Sequence, residues 1–174
     1  MSNPKTFPDG TTHRRYDLRS ERGGWLATVF LGAEGVLSTV SDYGNYGYWW
    51  GSVQDDFRAF LCRIDDGYLL GKISPGEEVD EKASEAGVKT CILRLRRAKA
   101  IDADTARDEW DLLSYVRDGD KGGWWAQTTL GEHADPGELW SWRSNQQAVA
   151  FCERVMPRLR EMLRTEMAAE KVAA

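Results

Sequence analysis

Between Tyr16 and Trp50, runs of strand-forming residues are broken every few positions by glycine-bearing turns, and this pattern predicts an antiparallel β-meander. Charged and bulky side chains alternate from Tyr16 to Glu21, and Gly23-Gly24 supplies a turn before Trp25-Leu-Ala-Thr-Val-Phe-Leu31. A turn at Gly32–Gly35 leads to a third strand over 36–41, and the Asp42–Asn45 corner leads to a fourth over 46–50. On that last strand Tyr46, Tyr48 and Trp50 share one side and Trp49 takes the other, because side chains alternate across a strand. All of these rings enter a core only if both faces of the sheet are covered.

The period then changes from two to 3.6. Ser52 with Asp55 has the spacing of a capping box, and Phe57, Phe60, Leu61 and Ile64 fall on one face of the helix that follows. Tyr68–Ile73 is too short to assign to helix or strand. From Glu77 acids lead and Arg94, Arg96, Arg97 and Lys99 close, the order that complements a helix dipole, with Val88, Cys91, Ile92 and Leu95 as the apolar stripe. Asp102 or Asp104 caps a further helix to about Val116, with Ala106, Trp110 and Leu113 on one side. Trp124 to Trp142 reads as an irregular connection with one helical turn at 136–140. Asn145 caps a last long helix to about Glu170, striped by Ala148, Phe151, Cys152, Val155, Leu159, Met162 and Leu163 and kinked near Glu153 by Pro157.

These elements predict an α+β fold in which a sheet of three or four strands packs against about four helices and a long C-terminal helix closes the structure. Residues 1–13 read as a flexible tail, and 14–174 as a single domain with one shared core.

Composition narrows the function. The chain has 174 residues and a net charge of −5, and all of the excess sits in residues 1–87, where nine basic residues face fourteen acidic ones. An acidic half disfavours ordinary nucleic-acid binding, which draws on a basic surface. No apolar run reaches membrane-spanning length and the first residues lack a signal-peptide layout, which predicts a soluble cytoplasmic protein with no membrane contact. Cys62, Cys91 and Cys152 fit apolar stripes as buried thiols.

Catalytic chemistry finds little support. His13 lies in the tail and His133 in a turn-rich loop, and a His133–Asp135 pair beside Cys152 or Ser144 is not enforced by any spacing. Five Cys and His residues spread along the chain supply no zinc spacing, and the glycines supply no phosphate loop. No catalytic residue, metal or cofactor is assigned. The stronger signal is Ser41-Asp-Tyr-Gly-Asn-Tyr-Gly-Tyr-Trp-Trp-Gly-Ser52, where rings alternate with glycines. Tyr and Trp at a surface are rigid, amphipathic anchors for a partner. Asp42, Tyr43, Tyr46, Tyr48, Trp49, Asp55 and Asp56 therefore form the candidate binding surface. The alternative for the rings is burial beneath the helices.

The same block, with Asp56-Phe-Arg-Ala-Phe-Leu61, Asp66-Gly-Tyr-Leu-Leu-Gly-Lys72 and the terminal Phe151, Arg154, Pro157 and Leu159, resembles small phage- and prophage-encoded proteins without assigned function. The resemblance covers roughly a third of the chain and implies a bacterial host cytoplasm; it carries over no catalytic residue. The expected function is that of a phage accessory protein that binds a host or phage macromolecule, in concrete form interfering with a host process such as antiviral defence. Its expected partner is a protein. The alternative is a nucleic-acid-binding or -processing protein that uses Arg94, Arg96, Arg97 and Lys99 with Arg154, Arg158, Arg160 and Arg164, and stacks bases on its tryptophans.

Overall fold

The computed structural model describes residues 5–53 and 56–173. Strands β1 (His13–Arg19), β2 (Trp25–Gly32), β3 (Val36–Ser41) and β4 (Gly44–Trp49) are followed by helices α1 (Phe57–Arg63) and α2 (Asp66–Ile73). Strand β5 (Glu77–Val79) leads into helices α3 (Glu81–Arg97), α4 (Ala103–Asp111), α5 (Leu113–Arg117) and α6 (Lys121–Trp125), then a 3-10 turn at Leu130–Glu132 and α7 (Pro136–Leu139). Strand β6 (Trp142–Ser144) precedes helices α8 (Gln146–Arg154) and α9 (Met156–Ala173). Contacts divide the chain into two units, Met1–Gly76 with Ser144–Ala174, and Glu77–Arg143.

The first unit carries the expected α+β architecture. Its sheet runs β1-β2-β3-β4, antiparallel throughout, with an irregularity between Leu18 and Arg19. Gly35 makes the β2–β3 turn at φ 99°, and a side chain there would strike the Trp50 carbonyl, so this position needs glycine. Leu18, Val29, Leu31 and Leu37 on one sheet face pack with Phe57 and Leu61 of α1, Leu69 of α2, Phe151 of α8, and Leu159 and Leu163 of α9.

Several sequence expectations shift by a residue or more. Asp56, rather than Ser52, caps α1: its carboxylate accepts from the Arg58 N–H at 2.9 Å. Asp55 lies outside the described residues. The 68–73 stretch is the helix α2, capped by Asp65 through the Tyr68 N–H at 2.7 Å. The long C-terminal helix is present over 146–173, and the expected kink is a break at Val155 between α8 and α9, because Pro157 has no N–H to give to the Glu153 carbonyl. Met162 faces solvent, and Met156 takes its place in the core. Phe7 is buried in that core rather than loose in a tail.

What fastens the helices to the sheet is a buried charge. Arg58, on the second position of α1, is only 1 % exposed. Its guanidinium donates to Asp56 at 2.5–3.1 Å, to Glu166 at 2.9 Å and to both Glu170 oxygens at 2.7 Å. Arg14 of β1 pairs with Glu166, Glu170 and Asp9, and both guanidiniums lie over the Phe7 ring at 5.0 and 5.3 Å. Tyr16 donates its hydroxyl to Glu166 at 2.8 Å. Farther along, Arg160 of α9 donates to the Leu61 and Ile64 carbonyls and to Asp66, satisfying orphan carbonyls at the end of α1.

The second unit has its own core, where the sequence reading expects one shared by the whole chain. Val88, Cys91, Ile92 and Leu95 of α3 pack with Leu113, Val116, Trp124, Leu130 and Trp140. Helix α3 starts at Glu81 behind an Asp80 cap, and 77–79 is a strand paired with β6. Asp102 caps α4 as expected, but the helix breaks at Leu112, and Glu109 is buried while Trp110 is exposed. The buried Glu109 carboxylate accepts from the Thr129 N–H at 2.6 Å and from the Thr128 and Thr129 hydroxyls at 2.7 and 2.8 Å, which offsets its desolvation.

Replacing Arg58 with Met removes the cation that pairs with Asp56 and, among the described residues, leaves Glu166 and Glu170 with Arg14 alone. Urea unfolding at neutral pH is expected to show a loss of about 3–5 kcal/mol. Hydrogen bonding to Arg58 holds the Glu170 carboxyl below its ordinary range. Its contribution is therefore present above the unfolded value of about 4.3 and lost as pH falls through the lower folded value. The Arg58→Met variant should lose most of that acid-side dependence, the remainder being held by Arg14.

Candidate functional site

Alternation along β4 sorts the predicted surface residues into two sets. Tyr46 is buried, its ring 4.9 Å from Phe151, and its hydroxyl donates to the Tyr43 carbonyl at 2.7 Å. Tyr48 is half-buried, edge-on to Trp50 at 4.6 Å with the Lys72 ammonium 5.6 Å from its ring centre. Trp50 is buried against Phe57 and Phe60 and donates its indole N–H to the Tyr68 hydroxyl at 3.2 Å. Asp56 is occupied as the α1 cap and as a partner of Arg58. These residues build the fold. Trp49 points the other way and is 63 % exposed, its indole N–H donating to the Glu34 carbonyl at 3.3 Å. Asp42 is exposed in the β3–β4 turn and Tyr43 is half-buried beside it.

The register extends this outer set beyond β4. Arg15, Phe30, Ser38 and Gly47 lie in one row across the four strands, and Asp17, Thr28, Val40 and Asn45 in the next. Phe30 is 43 % exposed, Val40 47 % and Trp25 43 %. Ser38 and Gly47 carry little bulk, which leaves a shallow floor beside Phe30. On the β1 side the face becomes charged: the Arg15 guanidinium lies 5.9 Å from the Phe30 ring centre and pairs with Asp17 at 2.9 Å, and Asp17 also accepts from Thr28 at 2.8 Å. The outer face thus carries exposed apolar side chains on β2, β3 and β4 and becomes charged toward β1. Trp25, Phe30 and Val40 were absent from the candidate surface, although Phe30 stands out of phase with Val29 and Leu31 in a strand that alternates.

A separate cleft of about 640 Å³ lies in the same unit, floored by Leu26, Tyr43 and Pro157. Glu21, Glu153 and Glu161 face Arg22, Arg154 and Arg158 around it, and Arg158 is held by Glu21 at 2.6 Å and Glu161 at 3.3 Å. Balanced charges of this kind create no strong field for phosphates. With Arg160 engaged to α1, two of the four arginines proposed for a nucleic-acid stripe on α8 and α9 are tied within their own unit.

Cys152, the thiol considered for nucleophilic chemistry, sits in unfavourable surroundings. Burial pushes the Cys152 thiol up to about 11 and raises that of half-buried Cys62, whereas a reactive cysteine needs the thiolate near neutral pH. Among the described residues, no group of three or more His, Cys, Asp or Glu is placed to hold a metal ion, and no helix is long and apolar enough to cross a membrane.

A model of the phage family Phage_phiTE_072 matches residues 9–165, and the chain belongs to that family. No curated protein and no solved structure matches it.

The partition of rings has a direct test in stability. Tyr46→Ala is expected to cost about 3 kcal/mol or more in urea unfolding, and Trp49→Ala about 0.5 kcal/mol or less. Native protein treated with a thiol reagent at mildly alkaline pH should leave Cys91 and Cys152 unlabelled, and denaturant should expose both, as peptide mass spectrometry would show.

Proposed function

We propose that this phage protein acts without chemistry of its own, by binding a protein of phage or host through the outer face of its N-terminal sheet. The supporting observation is that Trp25, Phe30, Val40 and Trp49 stand exposed together on one face whose opposite side already fills the core. Apolar area left in water costs about 25 cal/mol per Å², and exposed aromatic side chains are enriched among binding hot spots. Interference with a host process, antiviral defence included, is the concrete form this binding takes in an infected cell.

The test is affinity capture from bacterial lysate, with and without phage infection, comparing the wild type with a folded Phe30→Ser, Trp49→Ser double variant and including a nuclease-treated arm. A protein partner that survives nuclease and is lost with the double variant is expected, each ring contributing about 2 kcal/mol to binding. Undiminished capture by the double variant would overturn the reading. Loss of all capture on nuclease treatment would replace it with nucleic-acid binding.

A further inference from the structure

The free edge of β4 has a geometry of its own, separate from the face. Strand β4 pairs with β3 through a two-residue turn at Asp42-Tyr43, with Ser41 opposite Gly44, Thr39 opposite Tyr46 and Leu37 opposite Tyr48. Just beyond the ladder, the Trp50 N–H donates to the Gly35 carbonyl at 2.9 Å, which fixes the phase. Bonded and non-bonded pairs alternate in an antiparallel ladder, so Tyr46 and Tyr48 bond inward to β3. Asn45, Gly47 and Trp49, all exposed, turn their N–H and C=O groups away from it. None of these backbone groups has a hydrogen-bond partner among the described residues.

The two edges of the sheet are defended very differently. Strand β1 carries His13, Arg15, Asp17 and Arg19 outward and has a register irregularity at Leu18/Arg19, both of which discourage a further strand. Strand β4, Gly44-Asn-Tyr-Gly-Tyr-Trp49, has no charge, no proline and an unbroken register. An edge of that composition is a template for strand addition.

We propose that β4 pairs antiparallel with β4 of a second copy of the chain about a two-fold axis at Gly47, joining the two sheets into one. Self-pairing is favoured by the register. With the axis at Gly47, Gly47 faces its own copy and Asn45 faces Trp49 of the other chain, so every outward N–H and C=O of the three residues finds a partner. Moving the axis to Asn45 or Trp49 leaves some of them unpaired. No charges meet across the seam, and the missing side chains at Gly47 leave room on the outer face between the two Trp49 rings. The joined sheet doubles the apolar outer face. The pairing stands independently of the partner proposed for that face.

The test is the molar mass of the purified full-length protein, by light scattering on a sizing column and by sedimentation over a dilution series. The wild type is expected at twice the 19.7 kDa chain mass, dissociating on dilution. Gly47→Lys places like charges opposite each other at the axis; a side chain fits there, the nearest atom being the Leu37 carbonyl oxygen at 3.7 Å. It should run as a monomer with an unchanged circular dichroism spectrum. Gly47→Pro removes the outward N–H and should do the same, whereas Arg15→Ala on the opposite edge should remain dimeric. A wild type monomeric throughout the series, or a folded Gly47→Lys still dimeric, would overturn the proposal. A monomer that still captures its partner through Phe30 and Trp49 would overturn this pairing alone.

Discussion

The N-terminal unit depends on one buried guanidinium. Arg58 is held by Asp56 on its own helix and by Glu166 and Glu170 on α9, with Arg14 of β1 sharing the two glutamates and Phe7 lying beneath both cations. A buried ion pair adds little net stability over an apolar pair of the same shape, because desolvation cancels much of the attraction. Its effect is geometric: any arrangement that separates α1, α9 and β1 strands a charge in the interior. The sheet therefore has one face on which the helices can close. Leu18, Val29, Leu31, Leu37, Tyr46 and Trp50 go beneath them, and Trp25, Phe30, Val40 and Trp49 are left outside.

Local signals in the sequence carry much of this fold. Period-two alternation places Trp49 opposite Tyr46, Tyr48 and Trp50, the four-strand meander follows from its turns, and the stripe of Phe57, Leu61, Phe151, Val155 and Leu159 is the inner wall. Arg58 shows where local reading fails. In the stretch Asp56-Phe-Arg-Ala-Phe-Leu61 it looks like a solvated position on an amphipathic helix, since Glu166 and Glu170, which pair with it in the fold, lie 108 and 112 residues away. Asp56 is misread with it, as a surface acid rather than a cap. Glu109 is the same case in the second unit, buried because Thr128 and Thr129 reach it from a segment without periodicity. Two cores in place of one escape the sequence because helical stripes show that a face is buried, not against which neighbour.

Which of the candidate side chains stay exposed was half legible. Candidate residues chosen for aromaticity mix structural rings with exposed ones, and the strand register separates them. Membership of a phage family gives the setting but no chemistry, and the interior thiols and internally paired arginines turn attention to contact. A sheet sealed on one face, with apolar side chains on the other and an uncharged edge strand, leaves the surfaces on which the proposed contacts rest.

The most direct test of this division is hydroxyl-radical footprinting of the native protein in dilute solution, read residue by residue by mass spectrometry. The account predicts rapid oxidation of Trp25, Phe30 and Trp49 and strong protection of Tyr46, Trp50, Phe57 and Phe151, with the protected set released by denaturant. Comparable protection of both sets would contradict it, because the outer face would then be covered within the protein itself.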